Sequence, residues 1–399
     1  MIYLDNNATT AIDPRVAQGM LKAWQHGPLN ASSQHAAGRL ARSILDDAIS
    51  RLGNVLGADV DSPGGDAIVI TSGGTESNHL ALFGIGDPAG PLVISAIEHP
   101  SILEPARAMA AAGREVRVIP VLKDGTIDLQ TADRLIGETS PTPALVSVMS
   151  ANNETGVIQP IAALATICAR HGVPLHTDAT QTIGKVPFDF AASGIAAVTA
   201  TPHKFHGPCG VGMLLVRSGV TIRPIFRGGQ QQLERRAGTE PVPLVVGMAI
   251  ALELAISKLA DSAVRVAGCR DRLEGELRGE FAELVIHGEG APRLPGTTFV
   301  SFPGADRQAM LMALDMGGVA CSSGSACASG SSRPSHVLAA MGVAGGLIDS
   351  ALRFGFSRFS TADETERAIG LIRRQYRRLS GRSKDEMSRV SLDGGLAST

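Results

Sequence analysis

Short, almost uninterrupted apolar runs recur along this chain with helical patterns between them, and this alternation constrains the fold more than any other feature. Residues 67–71 (AIVIT), 91–95 (PLVIS), 144–149 (ALVSVM), 174–178 (PLHTD) and 197–200 (AVTA) read as strands. Helical patterns follow over 76 to about 83, 101–112 and 161–170. A strand that is apolar at nearly every position is buried on both faces. With helices between such strands, the spacing predicts an α/β fold around a mostly parallel sheet. Ligands of such sheets bind at the carboxyl ends of the strands. Near residue 260 the pattern changes. Residues 265–281 form a charged amphipathic helix, 297–302 alternate like a half-buried strand, and 317–332 are a Gly/Ser-rich loop, so a smaller domain is expected to begin there.

Composition removes several function classes. At 399 residues the chain is too long for one small core, and its formal net charge of -2 gives no electrostatic footprint for nucleic acid or an acidic membrane. Residues 243–260 are the most apolar stretch, yet they include Glu253 and Lys258 and read as a buried helix, not a membrane span. The start lacks a basic region followed by an apolar run, so no targeting segment is expected. The five cysteines (Cys168, Cys209, Cys269, Cys321 and Cys327) are scattered and odd in number, which argues against a disulfide framework and for a reducing, cytoplasmic setting.

Five segments carry chemistry. Thr71-Ser72-Gly73-Gly74-Thr75-Glu76 joins a strand to a helix; bare N–H groups and the positive helix end suit a phosphate, although an ordinary turn would look the same. Asp178 closes an apolar strand, where its carboxylate can pair with a protonated ring nitrogen or merely cap the next helix. Lys204, in Thr201-Pro202-His203-Lys204, again follows a strand, and a lysine there can form a Schiff base. Cys321 and Cys327 share a loop of small residues, a setting for an exposed nucleophilic thiol, whereas Cys168 sits in an apolar helix as a small hydrophobe. Arg353, in the alternating run Leu352-Arg353-Phe354-Gly355-Phe356, needs an anion, either a substrate carboxylate or a structural acid.

Taken in order, these segments resemble the cysteine desulfurases, pyridoxal-phosphate enzymes of fold type I in the class V aminotransferase group. The likeness runs from Tyr3-Leu4-Asp5-Asn6-Asn7-Ala8-Thr9-Thr10 to Arg353-Phe354 and takes in Glu98-His99-Pro100-Ser101, Asn152-Asn153-Glu154-Thr155-Gly156 and Arg236-Ala237-Gly238-Thr239-Glu240. It implies a large cofactor-binding domain over 15–260, a small α+β domain of 1–14 plus 261–383 that carries the cysteine loop, and a tail over 384–399. It also implies roles. Lys204 bonds the cofactor, and His99 stacks on its ring and moves protons. Asp178 pairs with the ring nitrogen, and Gln181 meets the ring hydroxyl. Gly74, Thr75, Thr201 and His203 hold the phosphate, which Thr239 reaches from a neighbouring subunit of a homodimer. Asn153, also placed among the cofactor-binding residues, and Arg353 bind the substrate; Cys327 accepts its sulfur and could ligate a transient iron–sulfur cluster, with no metal ligand otherwise expected. Departures from the family pattern fall at Gln230, Gln232, Glu234, Cys209 and Arg333.

The implied reaction converts L-cysteine to L-alanine and leaves a persulfide on Cys327 for a sulfur acceptor, an iron–sulfur scaffold or a tRNA thiolation protein. The alternatives are a selenocysteine lyase or other β-lyase of the same fold, and an idle scaffold whose cysteine loop binds a metal or partner. No nucleic acid or membrane contact is expected.

Overall fold

The computed structural model describes residues 1–138, 140–324 and 334–381. Cys327, Arg333 and the expected tail lie outside them. In chain order the elements begin with β1 (Ile2–Tyr3), α1 (Pro14–Trp24), α2 (Ala36–Leu56), β2 (Ala67–Thr71), α3 (Gly74–Gly84), β3 (Leu92–Ser95), α4 (Pro100–Ala111), β4 (Val116–Ile119), α5 (Leu129–Gly137), β5 (Leu145–Ser147) and α6 (Ile161–Arg170). Then come β6 (Leu175–Asp178), α7 (Phe190–Ser193), β7 (Ala197–Ala200), β8 (Gly212–Val216), α8 (Val242–Ser257) and α9 (Leu259–Glu280). The last are β9 (Val285–Ile286), β10 (Thr297–Ser301), α10 (Arg307–Met316), β11 (Val319–Ala320), α11 (His336–Ala340), α12 (Gly345–Ile348), β12 (Ala351–Gly355) and α13 (Ala362–Leu379).

Seven strands form the main sheet in the order β2-β8-β7-β6-β5-β3-β4. The pairings are parallel except for β8, which runs against both β2 and β7. Two successive reversals restore the direction of β2, so β2, β3, β5, β6 and β7 all end on one edge of the sheet. The all-apolar strands have the consequence expected of period-two side chains. Val69, Ile94, Leu145 and Leu214 pack on one face with Leu80 of α3 and Ile102 of α4. Their chain neighbours Ile70, Val93, Val146 and Leu215 pack on the other with Leu45 of α2, Leu164 of α6 and Leu252 of α8.

A second core lies around the antiparallel sheet β12-β10-β9. Phe281, Phe302, Phe354 and Tyr376 meet edge to face inside it, each contributing roughly 1.5–3 kcal/mol by burial. Ile2 and Leu4 belong to this core, not the first, because β1 pairs in parallel with β11. Helix α13 starts with a reciprocal cap between Thr361 and Glu364. The apolar stretch read at 243–260 is two helices, α8 and α9, bent by 74° at Lys258. Among the described residues, no single helix is long and apolar enough to cross a membrane.

Candidate active site

The shared edge of the main sheet gathers the residues picked out in sequence. β7 ends at Ala200, and a single 3-10 turn, Pro202–Lys204, follows. It carries Lys204, whose Nζ donates to the carbonyls of Asn7 and Ala8 at 2.7 Å each. The N-terminal segment is fastened over this turn. Thr10 donates to His203 O through its backbone N (2.8 Å) and its Oγ1 (2.9 Å), and Thr10 Oγ1 accepts from His206 N at 2.7 Å.

Asp178 ends β6, only 6% exposed. Its Oδ2 accepts from Asn78 Nδ2 at 2.8 Å and its Oδ1 from Thr180 N at 3.0 Å. Asn78 lies on α3, one turn past Gly74. Its Nδ2 also donates to Ser101 Oγ at 2.8 Å, and Ser101 Oγ sits 2.8 Å from His99 Nδ1. The carboxylate and the imidazole are therefore linked through two side chains from different helices. His99 caps α4, its Nδ1 accepting from Ser101 N at 3.1 Å. That bond leaves the ring proton on Nε2. Burial also holds His99 below its ordinary pKa, so it is neutral at physiological pH. His203 is pushed down to about 4, first by burial and then by the charges of Lys204 and Lys185.

At the end of β2 the chain turns through Gly73 into α3. The turn packs directly on β8, where a Cβ on Gly212 would lie 2.5 Å from the Gly73 carbonyl carbon, so only glycine fits. A Cβ on Gly74 would come within 3.3 Å of Thr180 Oγ1 and 3.6 Å of Thr201 Cγ2. Thr180 Oγ1 is buried and has no partner among the described residues. A hydroxyl without a partner thus faces bare backbone at the positive end of an eleven-residue helix, which is the chemistry of a phosphate cradle. Thr75 is exposed beside it, and Thr201 Oγ1 donates to Val211 O at 3.1 Å.

Thr239 is exposed, on a loop tied to this helix by Arg236, which pairs with Glu76 at 2.7 and 3.1 Å. In the same loop, Gln232 acts as a false strand residue for the sheet edge. It accepts from Ile70 N at 2.6 Å and donates to Ile70 O at 2.9 Å. Gln232, Leu233 and Glu234 have φ of 52°, 55° and 63°. Left-handed backbone at a non-glycine residue costs roughly 1–2 kcal/mol, so this turn is strained at all three residues. Gln230 leads into this turn, and Cys209 is exposed.

Arg353, on β12, realises the structural alternative for part of its guanidinium. Nη2 pairs with Asp5 at 2.6 Å and Nη1 donates to Asn153 O at 2.9 Å, while Nε is buried without a partner among the described residues. Cys321 follows β11 and packs against the second core. Burial, then the charge of Asp5, pushes its thiol up to about 12. No group of three or more metal-ligating side chains occurs among the described residues. Sequence reasoning missed Asn78, Thr180 and the Asn7 carbonyl, although all three lie inside or next to the motifs it singled out.

Glu98, next to His99, is fully buried. It accepts from Met149 N at 2.9 Å and from Ser95 Oγ, and burial pushes its pKa up to about 8. In the unfolded chain it ionises near 4.5. Between those values the unfolded state holds fewer protons, so stability falls as pH rises. Glu98→Gln is expected to flatten this decline by about 1 kcal/mol per pH unit, read from urea midpoints across the window. Glu154, raised by its own burial, keeps its share of the slope. An unchanged slope in the variant would mean that Glu98 is already ionised in the fold.

Residues 2–368 match the family described as aminotransferase class-V. A cysteine desulfurase of Gluconacetobacter diazotrophicus is 40% identical over 375 residues, 93% of this chain and 92% of that protein. An IscS-like cysteine desulfurase of Mycobacterium tuberculosis is 38% identical, with 93% of this chain and 95% of that protein covered. Among solved structures, the NifS-like protein of Rickettsia africae superposes with a TM-score of 0.85 at 32% identity, over 94% of this chain and 99% of that one. A structure described as SspA in complex with cysteine gives 0.77 at 28% identity, over 90% and 100%. A doubly covered, mostly parallel sheet, a lysine just after strand β7 and matches of this length leave one assignment: the chain belongs to the class-V aminotransferase family.

Proposed function

We propose that this protein is a cysteine desulfurase that uses pyridoxal phosphate, with Lys204 bonding the cofactor and Cys327 accepting the sulfur. The observation that carries the reading is the convergence of three features on one sheet edge: the Lys204 amine, the Asp178 carboxylate and the partnerless Thr180 hydroxyl beside Gly74. Their donor and acceptor types fit an aldehyde, a ring nitrogen and a phosphate. When bound, the cofactor supplies an electron sink for charge that develops at the substrate α carbon.

The chain's own residues do the rest. Asn78 and the Thr180 N–H aim the Asp178 carboxyl group, which would pair with the cofactor's ring nitrogen. Neutral His99 can give a proton at Nε2 and offers its ring face for stacking. Gly74, Thr75, Thr201 and His203 bind the phosphate together with Thr180, and Gln181 meets the ring hydroxyl. Asn153 and the unpartnered Nε of Arg353 orient the substrate carboxylate. Cys327 attacks the substrate sulfur: an S–S bond forms, the C–S bond breaks, and the three-carbon skeleton leaves as alanine. The persulfide then passes to an acceptor protein, an iron–sulfur scaffold or a tRNA thiolation protein in the cytoplasm. In this reading residues 15–260 bind the cofactor and 1–14 plus 261–383 carry the cysteine loop.

Incubating the purified protein with L-cysteine is expected to yield alanine and a mass increase of one sulfur on the protein. Cysteine consumed without alanine, or activity confined to selenocysteine, would overturn the reading. Thr239 reaches the phosphate of a second subunit, so sedimentation is expected to show a dimer. Thr239→Ala mixed with Lys204→Ala subunits is expected to restore partial activity through hybrid sites. A fully active monomer would exclude shared sites.

A further inference from the structure

Lys185 is a half-buried amine with no acidic partner among the described residues. It lies one turn after Gln181, and its Nζ donates to Gln181 Oε1 at 2.9 Å. The charges acting on it are those of Lys204 and Arg353, both positive, and with burial as the larger cause they push its pKa down to about 7. It lines a cavity of about 60 Å³ together with Asn7, Lys204, His206, Thr297 and Arg358, and no Asp or Glu lines that cavity. Arg358 already has Asp13 as its partner at 2.8 Å. Such a volume holds a few waters, so the Lys185 amine is neither free in solvent nor packed as apolar filler. Desolvating an ammonium among other cations is costly, and a methionine would fill the same space without that cost.

What the lysine does provide is direction. A glutamine amide can present either its oxygen or its nitrogen to a ligand, and the two ends have nearly the same shape. The protonated Lys185 amine can only donate, so in that form it claims Oε1. On the other side, Gln181 Nε2 donates to Asn7 O at 3.0 Å, and a carbonyl can only accept. The same Asn7 carbonyl accepts from Lys204. The amide is thereby fixed at both ends within a network that includes the cofactor lysine.

We propose that Lys185 is a positioning residue that locks the Gln181 amide with its remaining N–H turned to the cofactor's ring hydroxyl. The inference rests on the reading above, in which Gln181 meets that hydroxyl. Without Lys185 only the bond to Asn7 O keeps the amide in this sense, so a flip that turns its oxygen to the ring, where two acceptors would face each other, breaks one bond instead of two.

A double-mutant cycle on the holoenzyme tests this. The variants are Lys185→Met, Gln181→Leu and both together. The readouts are the cofactor dissociation constant and the pH midpoint of the bound cofactor's visible absorption. Lys185→Met is expected to weaken cofactor binding by about fivefold, the worth of one hydrogen bond, and to move the midpoint upward, because a donor and a positive charge that favour the anionic ring are lost. In the Gln181→Leu background the same substitution is expected to change cofactor binding by less than about twofold. Equal losses in both backgrounds would mean that Lys185 acts by packing or charge alone and would overturn the proposal. Should Lys185→Met lower the melting temperature of the apoprotein enough to prevent reconstitution, Lys185→Ala, which also removes the donor, is carried through the same cycle with the same criteria. A wild-type protein that binds no cofactor would sink the function itself. A wild type that binds it while Lys185→Met matches the parent would sink only the role of Lys185.

Discussion

Lys204→Ala is expected to lower alanine formation from cysteine by on the order of 10³-fold or more, while leaving the fold and the phosphate cradle in place. The amine sits on a one-turn helix that Thr10 also holds through its backbone N and its Oγ1, and removing it takes one donor each from the Asn7 and Ala8 carbonyls. Borohydride reduction of the wild-type holoenzyme followed by peptide mapping is expected to mark Lys204. The test is demanding, because Lys185 lines the same cavity and its pKa is lowered to about 7, which leaves much of it unprotonated and nucleophilic near neutral pH. A label on Lys185, or on any other lysine, would overturn the assignment.

The second large effect separates two cysteines. Cys327→Ser is expected to lose alanine formation by roughly 10²-fold or more and to keep its bound cofactor, whereas Cys321→Ser keeps most of its turnover. The structure gives Cys321 an anchored setting. It follows a strand held by Leu4 N donating to Ala320 O at 2.8 Å, and its thiol is raised to about 12. A thiol that stays protonated is a poor nucleophile. Cys327 lies outside the described residues, and its role rests on the Ser325-Ala326-Cys327-Ala328-Ser329 run and on the family likeness. Mass mapping of the persulfide decides the matter. Sulfur on Cys321, or on the exposed Cys209, with Cys327→Ser still turning over, would reject Cys327.

The sheet was legible because its strands are apolar on both faces, a pattern that few other structures require. Five strands stand where the runs predicted them: β2 and β7 have the predicted bounds, β3 and β6 start one residue later, and β5 is shorter by three residues. β8 was not read, although GMLLV is as apolar as its neighbours. Its reversed direction and its place between β2 and β7 depend on contacts across more than a hundred residues of chain, which no local pattern carries. The candidate site shows the same division. Lys204 and Asp178 stood out because a charged side chain ending an apolar strand is anomalous. Asn78, which aims Asp178, is 100 residues away from it in sequence, and its polarity is unremarkable on a helix. Arg353 was open between substrate and structural acid, and Asp5 could be identified as its partner only after β1 had been seen to pair with β11. Lys185 carries no anomaly in the sequence; it lines a cavity with Ala255, Leu259 and Ala263, on either side of the bend between α8 and α9, which no local pattern shows.

The crossing of residues 6–10 over the Lys204 turn has a consequence for how the protein is made. Asn6 Nδ2 donates to Gly355 O at 2.8 Å and Asn7 Nδ2 to Thr297 Oγ1 at 2.8 Å. These partners leave the ribosome some three hundred residues after the segment that needs them, a long-range closure that delays folding. Until then the main sheet can form with Lys204 present but uncovered, its amine lacking the two carbonyls that hold it. Translation therefore passes through a stage in which the lysine exists and the site does not. Pausing a nascent chain before residue 297 and again after residue 356 is expected to place the gain of cofactor capture between the two lengths.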